Sequence, residues 1–133
     1  MALAVGALLA LSVGVFATVL GLDRDRAFYA TLMLVIAALY SLFAVMGSST
    51  HALAVEALIG VLFIGITAAG FKGSLWLVVV ALAGHGVFDI FHDSVVSNPG
   101  KPVWWPAFCS AYDIVAAGYL AWLLRSGRTR ATN

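Results

Sequence analysis

ALAVGALLALSVGVFATVLGL, residues 2–22, carries no charged side chain, and Asp23-Arg24-Asp25-Arg26 follows it directly. A bilayer core is crossed by about 20 consecutive apolar residues in helical form. The run is long enough for that, and the charged tetrapeptide ends it. No Lys or Arg precedes it, so it lacks the basic n-region of a cleaved secretory signal and is expected to stay as a helix.

Four more runs of similar length follow: residues 27–47, 52–71, 74–95 and 103–124. They are separated by the turn-like Gly47-Ser48-Ser49-Thr50, by Lys72-Gly73, and by the breaker Ser97-Asn98-Pro99-Gly100-Lys101-Pro102. Residues 125–133 form a basic tail. Spanning β-barrels need short strands of alternating polarity, and none of these runs alternates. The predicted fold is therefore all-α, a single transmembrane domain of five helices. Connections this short bring neighbouring helices together in opposite directions, so an antiparallel bundle is expected.

The composition agrees. Hydrophobic residues make up 63% of the chain, charged residues only 10%, and the mean hydropathy is +1.05. A soluble domain carries about 25% charged residues, so a disordered chain is excluded and the composition argues against a soluble globule. Net charge is +1 and no basic cluster lies outside the chain end, which excludes a nucleic-acid partner. The partner indicated is the lipid bilayer itself. The single cysteine, Cys109, rules out an intramolecular disulfide.

Orientation follows from the basic residues. With five spans, Arg24, Arg26, Lys72, Arg125, Arg128 and Arg130 share one side and only Lys101 falls on the other. Lys and Arg favour the cytoplasmic side of short loops. The N-terminus is therefore expected outside and the C-terminus in the cytoplasm, in a plasma or inner membrane. The tail reads as a positive-inside anchor. Trp104, Trp105 and Trp122 fall at the ends of the fifth span, where an interfacial aromatic belt belongs.

Against this background, polar residues inside spans stand out. An intramembrane charge costs about 2.5–3.5 kcal/mol on the insertion scale. Yet Glu56, Asp89, Asp93, Asp113 and the histidines His51, His85 and His92 fall in or at the ends of spans. In Gly84-His85-Gly86-Val87-Phe88-Asp89-Ile90-Phe91-His92-Asp93, a helix places Asp89 about 40° to one side of His85 and His92 about 20° to the other. A two-His, one-Asp stripe suits metal chelation, by the same logic as paired His in helical zinc sites. Asp93 lies further round, and His85, Asp89, His92 and Asp93 are the candidate metal ligands.

Depth brings in two more acids. At 1.5 Å per residue, Asp113 reaches about the level of His85, and Glu56 about the level of Asp89. Both are candidate catalytic bases, or further ligands. The expected site is one polar cavity in the outer half of the bilayer. His51 and Glu56 are about 140° apart on a helix, so His51 joins that cavity only if it precedes the helix. Cys109 shares a face with Asp113, and Tyr40 and Ser41 can add hydrogen bonds to the lining.

Imidazole and carboxylate together fit a divalent ion, zinc or non-haem iron. The expected function is a metal-dependent membrane enzyme, a hydrolase or oxygenase, acting on a lipid or other apolar substrate. Two alternatives use the same residues: a proton or metal-ion carrier, and a metal-free acid/base lipid isomerase. A homo-oligomer is compatible with so small a chain, and no motif fixes its number.

Overall fold

The computed structural model describes residues 1–132. Among them there are five helices and no strand: α1 (Ala2–Leu20), α2 (Ala27–Met46), α3 (Thr50–Lys72), α4 (Trp76–Val95) and α5 (Trp105–Arg125). Each is long and apolar enough to cross a bilayer. Five such helices in one short chain mark an integral membrane protein. Asn133, the last residue of the expected basic tail, lies outside the described residues.

Local chemistry sets the helix ends. Gly21 adopts a left-handed conformation, φ 77°, and its N–H turns back to Ala17 and Thr18. That cap stops α1 two residues before the apolar run ends. At the start of α3, the Ser49 hydroxyl accepts from the Ala52 N–H, so the helix begins at Thr50 rather than at 52. His51 is thereby inside the first turn of α3, and it is exposed. Pro106 occupies the first turn of α5, where its missing N–H costs nothing.

α1 packs on α5 through small residues. Its buried positions are Gly6, Ala10, Gly14 and Ala17, a stripe that lets two backbones approach. A Cβ on Gly6 would strike the Phe108 carbonyl, and one on Gly14 would lie 3.0 Å from the Tyr119 ring. Leu8, Val15, Phe16 and Val19 of α1 are exposed, as suits a lipid-facing surface.

The other helices also approach one another at glycines. Gly60 of α3 meets Ala37 of α2, while Gly70 lies further back beside Val78 of α4. Gly86 of α4 lies against Ser110 and Ile114 of α5. The interior divides along its length. Met33, Val78, Leu82, Leu120 and Leu123 fill one part with apolar side chains. Glu56, Asp89, Asp113 and the two buried histidines gather toward the end where α2 and α4 finish and α3 and α5 begin, while buried Asp23 lies just before α2.

The opposite end is tied by backbone. One Arg26 guanidinium donates to the carbonyls of Gly70, Phe71 and Gly73 and to those of Arg130 and Ala131. Leu75 N–H donates to Ala131 O at 2.8 Å, and Thr129 donates to the Asp23 carbonyl at 2.6 Å. The basic tail thus folds back across the α3–α4 turn instead of trailing from the bundle.

Candidate functional site

α4 presents His85, Asp89 and His92 to the interior and Val87, Ile90 and Phe91 to the outside. This is the stripe that the three- and four-residue spacing dictates. Its members meet different neighbours, because α5 flanks α4 on one side and α3 on the other.

His85 and Asp89 turn toward α5. Gly86 makes this possible: a Cβ there would lie 3.0 Å from the Ser110 carbonyl and 2.9 Å from Ile114, so only glycine permits this approach. His85 Nδ1 then lies 2.7 Å from Asp113 Oδ2 and 3.5 Å from Asp89 Oδ2. The Cys109 thiol, one turn before Asp113, donates to Asp113 Oδ2 at 3.8 Å. His85, Asp89, Cys109 and Asp113 can each offer one ligand atom, and these atoms lie within 4.8 Å of one another. All four side chains are buried.

The cluster is short of donors. The Tyr40 hydroxyl donates to Asp89 Oδ1 at 2.8 Å. Asp89 Oδ2 and Asp113 Oδ1 are buried with no hydrogen-bond partner among the described residues. Nδ1 of His85 carries at most one proton to share between two carboxylates. Buried polar atoms are ordinarily satisfied, so two open carboxylate oxygens on residues of this cluster fit a cation-binding set.

His92 turns toward α3. Its Nε2 lies 2.8 Å from Glu56 Oε1 and its Nδ1 3.2 Å from Asp93 Oδ1. Asn98 donates through Nδ2 to both Glu56 Oε1 and the Tyr40 carbonyl, at 3.0 Å each. Asp93 has a side chain 70% exposed and pairs with Lys101 Nζ at 3.0 Å. Both ring nitrogens of His92 therefore face acids in this second group.

The expected single set is thus divided. His85, Asp89 and Asp113 come together with Cys109, while His92 and Glu56 form a neighbouring pair. Asp93 marks the exposed edge, and His51 lies apart on the surface of α3. Tyr40 joins the two groups, with its hydroxyl on Asp89 and its ring stacked on His92. Asn98 was legible only as part of a turn. Its place at a span end, beside polar spans, was the available signal.

A groove of about 640 Å³ runs along the outside of α4 and α5, with Asp89 and Asp93 among its lining residues. Ile90, Val103, Ala107 and Ile114 give it apolar walls, and Asp89 and Ser110 supply polar lining. Charge balance completes the description. Three buried carboxylates, Glu56, Asp89 and Asp113, share this end with two histidines, and the nearest ion-paired lysine is on Asp93.

Comparison of the chain with protein-family models, with curated proteins and with solved structures finds no match.

Proposed function

We propose that this chain is a membrane-embedded, metal-dependent enzyme acting on a lipid or other apolar substrate. One observation carries the assignment: His85, Asp89, Cys109 and Asp113 gather four donor atoms within 4.8 Å, with two carboxylate oxygens left open. A divalent cation would satisfy those oxygens and offset the excess of buried acid.

The donor set favours zinc. One imidazole, one thiolate and carboxylate oxygen are all zinc ligands. The iron triad of two His and one carboxylate lacks its second imidazole, because His92 is taken up by Glu56 and Asp93. Zinc has no redox chemistry, so hydrolysis is the better-supported reaction class. A bound divalent ion would supply Lewis acidity and an acidified water.

The protein's own residues do the rest. Tyr40 holds Asp89 by its Oδ1 and leaves Oδ2 free to ligate. Cys109 gives up its thiol proton on ligation, as metal binding requires. Asp113 would either ligate or take a proton, and Glu56, hydrogen-bonded to His92 and Asn98, is the further candidate base. The groove beside α4 and α5 would take a hydrocarbon chain from the bilayer alongside Asp89. On the positive-inside rule the site lies in the outer half of the membrane, with the C-terminus cytoplasmic.

A carrier has less support, since Met33, Val78, Leu82 and Leu120 close the interior beyond the site. The 2.7 Å contact between His85 and Asp113 favours a metal-free acid/base site as the second reading. Elemental analysis separates the two. Protein purified without chelator or histidine tag is expected to hold one divalent ion per chain. No metal, even after zinc is added, would leave the acid/base reading.

A further inference from the structure

The far end of the bundle, away from His85 and Asp89, holds a second site in which basic residues outnumber acids. A cavity of about 650 Å³ there is lined by Arg24, Arg26, Lys72 and Arg130, with Asp25 and the apolar Ala27 and Phe71 among the rest. A neighbouring cavity of about 400 Å³ shares Arg24 and Arg130 and adds Arg128, with Asp23 also in its lining. Five of the chain's seven basic residues therefore border two adjoining cavities.

The arginines outnumber the two acids beside them, Asp23 and Asp25. Among the described residues, no carboxylate is within ion-pairing distance of Arg24, Arg26, Arg128 or Arg130. Asp23 is buried and accepts from Thr18, and Asp25 Oδ1 accepts from the Ala27 N–H at 2.9 Å. Arg26 is fixed by five carbonyls, and its Nε is buried with no hydrogen-bond partner. The guanidinium is thus held in place by neutral groups and keeps its full charge.

Two apolar grooves lead away from the larger cavity. One, of about 200 Å³, begins at the shared residues Ala27 and Phe71 and follows α2 and α3 past Ala30, Leu34 and Ala68. The other, of about 440 Å³, begins at the shared Asp25 and Ala27 and passes Phe28, Leu32 and Val35. A basic basin at the membrane edge that opens into two hydrocarbon-lined grooves matches a diacyl lipid with an anionic head. Basic pockets between transmembrane helices bind such headgroups.

We propose that this end of the bundle is a binding site for an anionic glycerophospholipid. The phosphate sits between Arg24 and Arg130, Arg26 adding charge alone because carbonyls take its Nη hydrogens, and the acyl chains lie in the grooves on either side of the start of α2. A free inorganic phosphate would use the arginines and leave the grooves unused, so the grooves argue for the lipid.

The test uses the full chain, delipidated in detergent and titrated with phosphatidylglycerol or phosphatidylcholine, with retained lipid counted by native mass spectrometry. Phosphatidylglycerol is expected to bind preferentially and to resist millimolar inorganic phosphate. Arg24→Gln with Arg130→Gln is expected to weaken it by on the order of 30-fold. Arg24→Lys with Arg130→Lys keeps the charge and most of the binding, which guards against a folding defect in the Gln pair. Ala68→Trp fills one groove and is expected to lower retention. Arg125→Gln, whose side chain lies over Trp76 outside both cavities, leaves it unchanged. Equal binding of the two lipids, displacement by inorganic phosphate, no effect of Ala68→Trp, or an equal loss in Arg125→Gln would each overturn the proposal.

Discussion

The ring of Tyr40 is stacked on the imidazole of His92, with centroids 4.1 Å apart and planes inclined by 14°. The same side chain donates its hydroxyl to Asp89 at 2.8 Å. One residue of α2 thus touches both polar groups of the site.

Tyr40→Phe separates those roles, because it keeps the stack and deletes the hydroxyl. Asp89 Oδ1 is then left without its donor. Removing such a supporting hydrogen bond lowers metal affinity by about 10- to 100-fold. Competition with a chromogenic zinc chelator measures this directly. Unchanged affinity would show that Tyr40 does not position a ligand.

Gly86 sets the distance between α4 and α5. Gly86→Ala forces its Cβ against the Ser110 carbonyl and Ile114, which is expected to destabilise the protein by about 1–3 kcal/mol. Gly118→Ala is the control: nothing lies within 4 Å of a Cβ there. It is expected to be neutral, or to stabilise α5 by up to about 1 kcal/mol. Thermal unfolding in detergent compares them, and equal midpoints would contradict the close packing.

Arg26 carries five carbonyls that a lysine cannot reach together. Arg26→Lys keeps the charge and loses the planar fork. Charge-assisted hydrogen bonds of this kind contribute about 1.5–3 kcal/mol each when protected from water. The expected result is release of the tail, read as faster hydrogen exchange across residues 126–132 with the α4 and α5 amides unchanged. Uniformly unchanged exchange would show that the tail is held by other contacts.

The bundle was legible because its signals are local. Uncharged runs and the breakers between them specify helices without reference to anything distant. The errors were at the caps: Gly21 shortens α1, and Ser49 starts α3 early enough to carry His51 into the helix. The site was legible in depth, since a fixed rise per residue brings Asp113 level with His85. It was not legible in partnership. Spacing says that His85 and His92 share a face, and it does not say that one meets α5 and the other α3. Cys109 and Asn98 gained their places through those same nonlocal contacts. The folded-back tail was invisible for a related reason, because backbone carbonyls of residues 70–73 and 130–131, which no side-chain pattern encodes, receive Arg26.

The division of the two histidines gives the most direct test of the metal centre. Divalent metal per chain is measured by elemental analysis in the wild type, in His85→Ala and in His92→Ala, each purified without chelator or histidine tag. The account predicts one ion in the wild type, its loss in His85→Ala, and retention in His92→Ala. Equal metal content in all three proteins, or none in the wild type after zinc is supplied, would contradict it.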